Sequence, residues 1–502
     1  MIGRIALLRF DPFPARAIPA SLPAWRNFMR FVLRILKALA LLLVLLVITA
    51  AGWLFIRPPE LLRVGDGYAA KIVCSNVFIA GREAEDVLHD DVQAPGNPLL
   101  RLLRVSVDRD NDRVTARFMG LFAPSYALYR GAFGCTSVPD GNFEAAAKAA
   151  PFDPPAKMQA NDALWPEGEG TGNPADGKIA ALLSDAGVAG PAMRAIVVVR
   201  NGRIVTEAYG PGFSAKTPLI GWSMTKTVNA AILGRLMLGG KISFDDDNLL
   251  AQWKNDARAK IKVSDLLGME SGLAFNENYG DVADVTRMLY LDPDMVSLPA
   301  NAPMEAAPGQ RFRYSSGTAV LLSRIWMDRV GNAQAAFSYP HDALFAPLGM
   351  TSAVFELDAR GTFAGSSYLY ATAHDWARFG QFLLQDGVWN GQRLLPEGFV
   401  GAMRTPTAAS NGRYTQGQAW LAPGRGSSAG AGLPEDTFWL TGHDGQSVAI
   451  VPSANLVVVR LGLTPSRLDY QPQTLLKAIL TALPQSGAQQ QAGSLRQAQP
   501  QP

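Results

Sequence analysis

The sequence predicts an α+β fold, in which an antiparallel sheet combines strands from the beginning and the end of a mostly helical body. Two β-branched runs, 195–200 and 203–209, are separated by Asn201-Gly202, a dipeptide typical of a tight hairpin. The residues from about 223 to 385 carry mostly helical patterns with loops between them. Strand patterns return late in the chain, at 437–441, 446–451 and 456–461, and a terminal helix is expected at 474–483.

The composition is that of a globular protein with a large core, because 48% of the 502 residues are hydrophobic and 18% are charged. The formal charge of +3 has a local origin. Residues 1–37 hold seven of the 46 basic side chains and one of the 43 acidic ones, so the rest has 39 basic and 42 acidic side chains. This balance gives no reason to expect nucleic acid as a partner.

Residues 38–56 are nineteen residues without a charge, rich in Leu and Val. If it is helical, this stretch is long enough to cross a lipid bilayer, and we predict a transmembrane helix at 38–56. The basic segment 1–37 is expected to stay in the cytoplasm, which makes the chain a single-pass protein of the inner (plasma) membrane with its remainder in the periplasm. A cleavable signal peptide is the alternative, because Thr49-Ala50-Ala51 are small, but the apolar run continues through 53–55 and favours a retained anchor.

A small β-rich region is expected at 60–150, with strands at 102–107 and 113–118 around a turn rich in Asn and Asp. Cys74 and Cys135 lie in this region, on the exported side, where paired cysteines more often form a disulfide than a metal site. Zinc needs more ligands than the nearby sequence offers. We therefore predict a structural disulfide and no metal, and we interpret the region as a spacer next to the bilayer.

Changes of composition divide the remaining residues. Residues 151–177 are rich in Pro, Gly and acids, which is typical of a linker. One domain is expected at 178–484. The tail 485–502 is dominated by Gln, Ala, Ser and Pro and is expected to be disordered.

Ser223 is a candidate nucleophile, because apolar residues repeat at helical spacing from Met224 onward and Lys226 follows one turn later on the same face. A lysine near a helix N-terminus, and partly desolvated, is pushed towards its neutral form and can accept the proton of a serine. The free backbone N–H of Ser223 is a candidate oxyanion donor. The alternative is an N-cap serine followed by a solvated lysine, but the bulky Trp222 and the apolar helix argue against it.

Two later segments add polar groups that suit an active site. Tyr314 lies in a loop just before a predicted helix at 318–330, where its phenol can point into a cleft, and Ser316 is a candidate cap of that helix. The segment 442–446, Gly-His-Asp-Gly-Gln, joins two late strands, and its glycines allow close approach of the backbone to a ligand.

Ser-x-x-Lys at 223–226, Tyr-x-Ser at 314–316 and His-x-Gly at 443–445 occur in the order and with gaps that resemble the penicillin-recognising serine hydrolases of the class C β-lactamase type. The nearer branch is similar to the esterases and 6-aminohexanoate-dimer hydrolases. The resemblance covers about 187 to 482 and implies a β-lactamase/transpeptidase-like antiparallel sheet flanked by helices, with a mostly helical subdomain. Supporting stretches are 261–267, 271–273, 348–350 and 371–379.

The resemblance also implies a role for each matching residue. Ser223 is the residue that becomes acylated, Lys226 is its partner in proton transfer, and Tyr314 carries protons to the leaving group and to the deacylating water. The resemblance further suggests a group of substrate-binding and oxyanion-binding residues, with a backbone N–H of Gln446 as the second oxyanion donor. The other members of that group are Trp222, Tyr279, Ser316, His443 and Gly445.

Two departures from the family pattern bear on the substrate. Ser316 stands where the family has an asparagine, so it offers no side-chain amide. His443 stands where the family has a lysine, and a mostly neutral imidazole attracts a substrate carboxylate poorly. The resulting expectation is a serine hydrolase without cofactor, whose small-molecule substrate is an ester or an uncharged amide. The alternatives are a β-lactamase or D-alanyl peptidase acting on cell-wall peptides, and a catalytically silent protein that binds cell-wall fragments or a partner.

Other candidates have simpler interpretations. The segment 426–430 matches Gly-x-Ser-x-Gly, but it lies in a flexible Gly/Ala loop instead of a strand-to-helix turn. His443 and Asp444 suggest a triad, but neighbours on a strand point to opposite faces, so Asp444 is not expected to orient His443. The acidic run 245–247 is interpreted as a solvated turn. Tyr279 lies in a polar loop and is either a wall of the substrate cleft or a surface residue.

Overall fold

The structure is a computed structural model, and it describes residues 22–94, 96–149, 161–172, 177–422 and 432–483. The predicted disordered tail at 485–502, the Gly-x-Ser-x-Gly match, the first part of the basic segment and most of the predicted linker lie outside the described residues. The chain divides into two compact units between Pro58 and Pro59.

The α-helices of the described residues are numbered in chain order. They are Leu22–Ile56 (α1), Glu60–Phe78 (α2), Ala84–Val87 (α3), Phe143–Lys148 (α4), Gly177–Leu183 (α5), Ala186–Ala189 (α6), Thr225–Leu238 (α7), Val263–Leu267 (α8), Asp284–Tyr290 (α9), Ser297–Ala300 (α10), Ser316–Val330 (α11), Ala333–Pro340 (α12), Ala346–Leu348 (α13), Ala373–Leu384 (α14), Phe399–Ala402 (α15) and Pro472–Ala482 (α16).

The strands of the described residues form four sheets, which are antiparallel in all of their named pairs. They are Leu103–Asp108 (β1), Arg113–Phe118 (β2), Phe122–Tyr129 (β3), Cys135–Ser137 (β4), Met193–Arg200 (β5), Arg203–Tyr209 (β6), Leu219–Ile220 (β7), Val354–Phe355 (β8), Leu369–Ala371 (β9), Val388–Trp389 (β10), Gln392–Arg393 (β11), Phe438–Gly442 (β12), Gln446–Val451 (β13) and Leu456–Gly462 (β14).

The first unit contains helix α1, whose segment Trp25–Ile56 is long and apolar enough to cross a membrane by length and composition. The predicted span 38–56 lies inside this helix, which begins earlier in the chain. An uninterrupted helix is the expected form of such a segment in lipid, because it pairs its own backbone N–H and C=O groups.

The largest sheet has five strands in the order β12-β13-β14-β5-β6, so the late strands join directly to the early hairpin. The joint is between β14 and β5, where Val458 lies opposite Val198. Both strands are buried over most of their length, and helix α14 packs on one face while α5 and α16 pack on the other. The predicted α+β fold is therefore confirmed, with a sheet covered on both faces.

Helices α7 and α11 form the centre of the helical body and are both buried almost all round. The side chain of Asn229 links them, because its Nδ2 donates to the carbonyl oxygen of Ala319 at 2.9 Å and its Oδ1 accepts from Trp326 Nε1 at 2.8 Å. A buried amide with these partners fixes the two helices in one register. Their N-terminal ends therefore meet, and the residues at those ends form the candidate site.

The region after Pro59 contains the sheet β1–β4 and also helix α2, which packs against that sheet. The sequence pattern does not predict this 19-residue helix, because most of its residues from Val64 onward are buried and no polar stripe marks a solvent face. Cys74 on α2 and Cys135 on β4 form a disulfide, with Cα atoms 6.0 Å apart. The residues from Pro59 onward belong to one compact unit.

A buried ion pair joins α2 to the body of the second unit. Lys71 Nζ donates to a carboxylate oxygen of Glu356 at 2.5 Å, and both side chains are almost fully buried. The Glu356 carboxylate also accepts from Ser75 Oγ at 2.8 Å and from the backbone N–H of Cys135 at 2.7 Å. One carboxylate thus links the helix, the disulfide-bonded strand and the segment that directly follows strand β8.

Replacing Glu356 by glutamine is expected to lower the free energy of unfolding by about 3–5 kcal/mol, because Lys71 then remains buried without a counter-ion. Urea unfolding of the detergent-solubilised full chain, followed by tryptophan fluorescence, measures this loss. In the matched double variant, Lys71→Met with Glu356→Gln, most of the loss should be recovered, since no charge is left buried and the glutamine oxygen can still accept from the Cys135 N–H. A Glu356→Gln protein as stable as the wild type would show that the pair contributes no stability.

Candidate active site

Ser223 lies in a short 3-10 turn, Trp222–Met224, that leads directly into helix α7. The turn is tight, and Trp222 adopts a φ of 47°, which is unusual for a bulky side chain. The end of strand β12 approaches this turn so closely that a Cβ on Gly442 would lie 2.2 Å from the carbonyl oxygen of Gly221. The glycine at the end of β12 thus allows this strand to pack against the turn that carries the half-buried Ser223. The predicted approach of this backbone to a ligand stays a prediction.

Lys226 points to Ser223, as the Ser-x-x-Lys spacing predicts, with 3.1 Å between Nζ and Oγ. Its ammonium group also donates to Ser316 Oγ at 3.0 Å and to the carbonyl oxygen of Ser366 at 2.9 Å. The side chain is fully buried. Burial lowers the pKa of Lys226 to about 8, although the Glu277 carboxylate acts in the opposite direction. A lysine with this pKa is partly neutral near pH 8.

Tyr314 precedes helix α11. Burial raises the pKa of Tyr314 far above its ordinary value, the Glu277 carboxylate raises it further, and the nearby Ser223 hydroxyl acts in the opposite direction. Its ring centroid lies 4.8 Å from Lys226 Nζ and 5.2 Å from the ring of Trp420. The structure therefore places the hydroxyl, the amine and the phenol in one cluster.

Ser316 does not cap helix α11, contrary to the sequence interpretation, because it is already the first helical residue. The cap is Ser315, whose Oγ accepts from the backbone N–H of Thr318 at 3.0 Å. This shift by one residue frees the Ser316 hydroxyl, which accepts from Lys226 and donates to Glu277 Oε1 at 2.5 Å.

Glu277 is a member of the cluster that the sequence reasoning did not single out. Its Oε2 accepts from the backbone N–H of Ser316 at 2.8 Å, at the N-terminus of α11, where a negative charge is favoured. Its Oε1 also accepts from the Tyr279 hydroxyl at 3.3 Å. The polar loop 276–279 was the available signal, but sequence alone does not show that two loops distant in the chain meet here.

His443 and Asp444 form a 3-10 turn, His443–Gly445, where the sequence interpretation assumed an extended strand. Asp444 adopts a left-handed φ of 57°, so the alternation of side chains along a strand does not apply. As a result, His443 Nε2 lies 3.4 Å from Asp444 Oδ1. The assumption that the two side chains point to opposite faces is therefore wrong, while the expectation that Asp444 does not orient His443 stays a prediction. The imidazole stacks on Tyr279 with 5.2 Å between ring centroids and lies edge-on to Trp222 at 5.7 Å.

Gln446 is buried, and its side chain is committed to the protein backbone. Its Nε2 donates to the carbonyl oxygens of His443 at 2.9 Å and Gly462 at 2.6 Å, while its Oε1 accepts from the Gly462 N–H at 2.8 Å. These bonds fix the turn that carries His443 and Gly445. The role of the Gln446 backbone N–H as an oxyanion donor stays a prediction.

A cavity of about 350 Å³ adjoins this cluster and is walled at one end by Trp222, Tyr279 and His443. Ser223, Lys226 and Tyr314 do not line it, and Tyr314 and Glu277 line a separate, more open cleft. Within the described part of the chain, no group of three or more His, Cys, Asp or Glu side chains is arranged to hold a metal ion.

Comparisons with known proteins agree with this architecture. The chain is 24% identical over 304 residues to the 6-aminohexanoate-dimer hydrolase of Paenarthrobacter ureafaciens, which covers 54% of this chain and 72% of that protein. It is 32% identical over 98 residues to an uncharacterised protein of Alkalihalophilus pseudofirmus, but this match spans 18% of this chain and only 29% of the length of that relative.

Two solved structures share the fold, each with a TM-score of 0.50. One, from Bacillus anthracis and provisionally named a 6-aminohexanoate-dimer hydrolase, is 24% identical and covers 67% of this chain and 89% of its own. The other, a family VIII carboxylesterase, is 15% identical and covers 62% of this chain and 99% of its own.

The family model described as Beta-lactamase matches residues 176–472, which is more than half of the chain. This range contains the Ser223, Lys226 and Tyr314 cluster and the five-stranded sheet. The family and its hydrolase-named relatives support a hydrolase of the serine type in general. Because this match covers more than half of its length, the chain belongs to the Beta-lactamase family, in agreement with the order of its sequence motifs.

Proposed function

We propose that the protein hydrolyses an ester or an uncharged amide through an acyl-enzyme intermediate on Ser223. The observation that carries the proposal is the short contact from Lys226 Nζ to Ser223 Oγ, 3.1 Å, made by a fully buried lysine whose pKa burial lowers to about 8. A neutral amine at this distance can take the serine proton as the hydroxyl oxygen attacks a carbonyl carbon.

The neighbouring groups suit the other proton transfers of such a reaction. Tyr314, whose ring centroid lies 4.8 Å from Lys226 Nζ, passes a proton to the leaving group, and the resulting phenolate then takes a proton from the water molecule that attacks the acyl-enzyme. Its raised pKa keeps the phenol protonated before the reaction begins. Within the described residues the backbone N–H of Ser223 donates no hydrogen bond, so it is free for the substrate oxyanion, with the Gln446 N–H as the proposed second donor.

The charges around the cluster favour a substrate without a carboxylate at this position. Glu277 and Asp444 bring two carboxylates close to the pocket, and His443 supplies an imidazole where the family has a lysine. Ser316, bound to Lys226 and Glu277, offers no amide to a substrate. An anionic β-lactam or D-alanyl peptide would meet repulsion here without a fixed positive charge to offset it.

We also propose that helix α1 anchors the enzyme in the plasma membrane, with its basic flank in the cytoplasm and the hydrolase domain outside it. Length and apolar composition support the anchor, and the basic residues before position 38 support the orientation. The Cys74–Cys135 disulfide is compatible with an oxidising compartment on the far side.

A small substrate panel tests the proposal. We expect the full chain to hydrolyse p-nitrophenyl butyrate, with a linear aminohexanoate dimer as the amide probe, and to leave nitrocefin intact. The amide probe is included because a relative is named for that dimer. Turnover of nitrocefin at a rate equal to that of the ester would favour a β-lactamase or peptidase, and binding of cell-wall peptides without any product would favour a silent receptor.

A further inference from the structure

The cavity beside Ser223 has two kinds of wall. At one end are Trp222, Tyr279 and His443, which belong to or touch the candidate active site. The rest comes largely from helix α2 and from the segment that leads into β1, both in the region before residue 150. This region is therefore more than a spacer, because its side chains shape the space next to the candidate nucleophile.

The distant walls are mainly apolar. Leu62 and Val64 come from α2, Leu99 and Leu100 from the following 3-10 helix, Leu103 from β1 and Phe118 from β2. Polar residues such as Asn97 and Asp281 also line the cavity, but with Leu61 five leucines contribute to its lining. A concave space of about 350 Å³ with such walls has the size and chemistry of a small-molecule pocket.

We infer that this cavity holds an apolar chain of the substrate, so that the enzyme prefers esters with a chain of several carbon atoms over acetyl esters. The inference rests on the proposed acyl transfer at Ser223 and adds the class of substrate. Its physical basis is the hydrophobic effect, because a chain that leaves water for these walls gains roughly fourfold in binding per buried methylene.

Exposed leucines at the cavity support this assignment. Leu61 is 40% exposed and Leu99 is 43% exposed, and both line the cavity although neither contributes to the buried core. A soluble surface rarely groups large apolar side chains without a use for them. We assign the substrate as the occupant, since Trp222, the residue that precedes Ser223, lines the cavity.

The chain offers a matched pair of substitutions. Leu99 and Leu102 belong to the same 3-10 helix, Pro98–Leu102, and they are 43% and 40% exposed. Leu99 lines the cavity and Leu102 does not. Leu99→Asp puts a charge into the cavity, whereas Leu102→Asp puts the same charge on the nearby surface.

The measurement is the ratio of kcat/KM for p-nitrophenyl hexanoate to that for p-nitrophenyl acetate, with the full chain in one detergent. Hexanoate has four more methylenes than acetate, so we expect a ratio of roughly 250 for the wild type and for Leu102→Asp, and a roughly tenfold lower ratio for Leu99→Asp. Leu99→Trp, which narrows the cavity without adding charge, should lower the ratio as well. Thermal unfolding of each variant at the wild-type temperature shows that it is folded.

A ratio near one in the wild type, or an equal ratio in Leu99→Asp and Leu102→Asp, would overturn the chain-binding assignment while leaving acetate hydrolysis and the proposed reaction intact. Failure of the proposed function has a different signature. In that case neither ester is hydrolysed in a manner that depends on Ser223, and the assignment of the cavity falls with it.

Discussion

Ser223→Ala is expected to lower kcat/KM for p-nitrophenyl butyrate by roughly 10⁴-fold or more. Only the part of the rate enhancement that comes from binding the substrate should remain. The reason is chemical, because alanine leaves Lys226 and Tyr314 in place but removes the atom that becomes acylated. Within the described residues, two other serine hydroxyls lie beside a buried lysine, on Ser75 and on Ser316. Ser75 Oγ, 2.9 Å from Lys71 Nζ, already donates to Glu356 and is fully buried. Ser316 Oγ, the other serine on Lys226, already donates to Glu277 and is fully buried.

The control for this variant is Ser214→Ala, which removes an exposed hydroxyl whose recorded contacts are with the nearby Lys216 N–H and Thr217. That protein should keep wild-type activity. Thermal unfolding of both variants separates a catalytic loss from a folding defect. Ester hydrolysis at the wild-type rate in a folded Ser223→Ala protein would contradict the assignment of the nucleophile.

Lys226→Met should lower kcat/KM by roughly 10³-fold, because methionine fills similar space but accepts no proton. A second variant, Lys226→Arg, separates the effect of the positive charge from the ability to accept a proton. Arginine keeps a positive charge near Ser223 and stays protonated throughout the accessible pH range, so it should be inactive as well. An active arginine variant would mean that charge alone is needed and that Lys226 is not the base.

The pH dependence of kcat/KM in the wild type also tests whether Lys226 is the base. Lys226 acts as a base only when neutral, so kcat/KM should fall tenfold for each pH unit below its pKa of about 8 and level off above it. At pH 6 the expected value is roughly a hundredth of the plateau. The residual activity of Lys226→Met, measured over the same range, should lack this inflection.

Sequence patterns predicted correctly the structural features that depend on residues close together in the chain. The spacing of Ser223 and Lys226 by one helical turn is such a feature, and so is the hairpin at Asn201-Gly202 between β5 and β6. Strand β13 also begins and ends where its β-branched pattern does. In each case the relevant periodicity or turn chemistry lies within a few residues.

Features made by contacts between distant segments were not predictable. Helix α2 is hidden from pattern analysis because it is buried on most sides. Glu277 joins the cluster through Ser316, a residue 39 positions away. The turn at His443 and Asp444 depends on a left-handed residue in the connection between two strands, where the sequence interpretation assumed extended backbone. Each of these depends on tertiary packing, which overrides local preference.

The most direct test of the central claim is covalent labelling of the full chain with a fluorophosphonate, followed by peptide mass spectrometry. The account predicts one phosphonylated site, Ser223, with a labelling rate that rises with pH through about 8 and is lost in Lys226→Met. An adduct on a different residue, or continued ester hydrolysis after exposure to the probe without any adduct on Ser223, would contradict it.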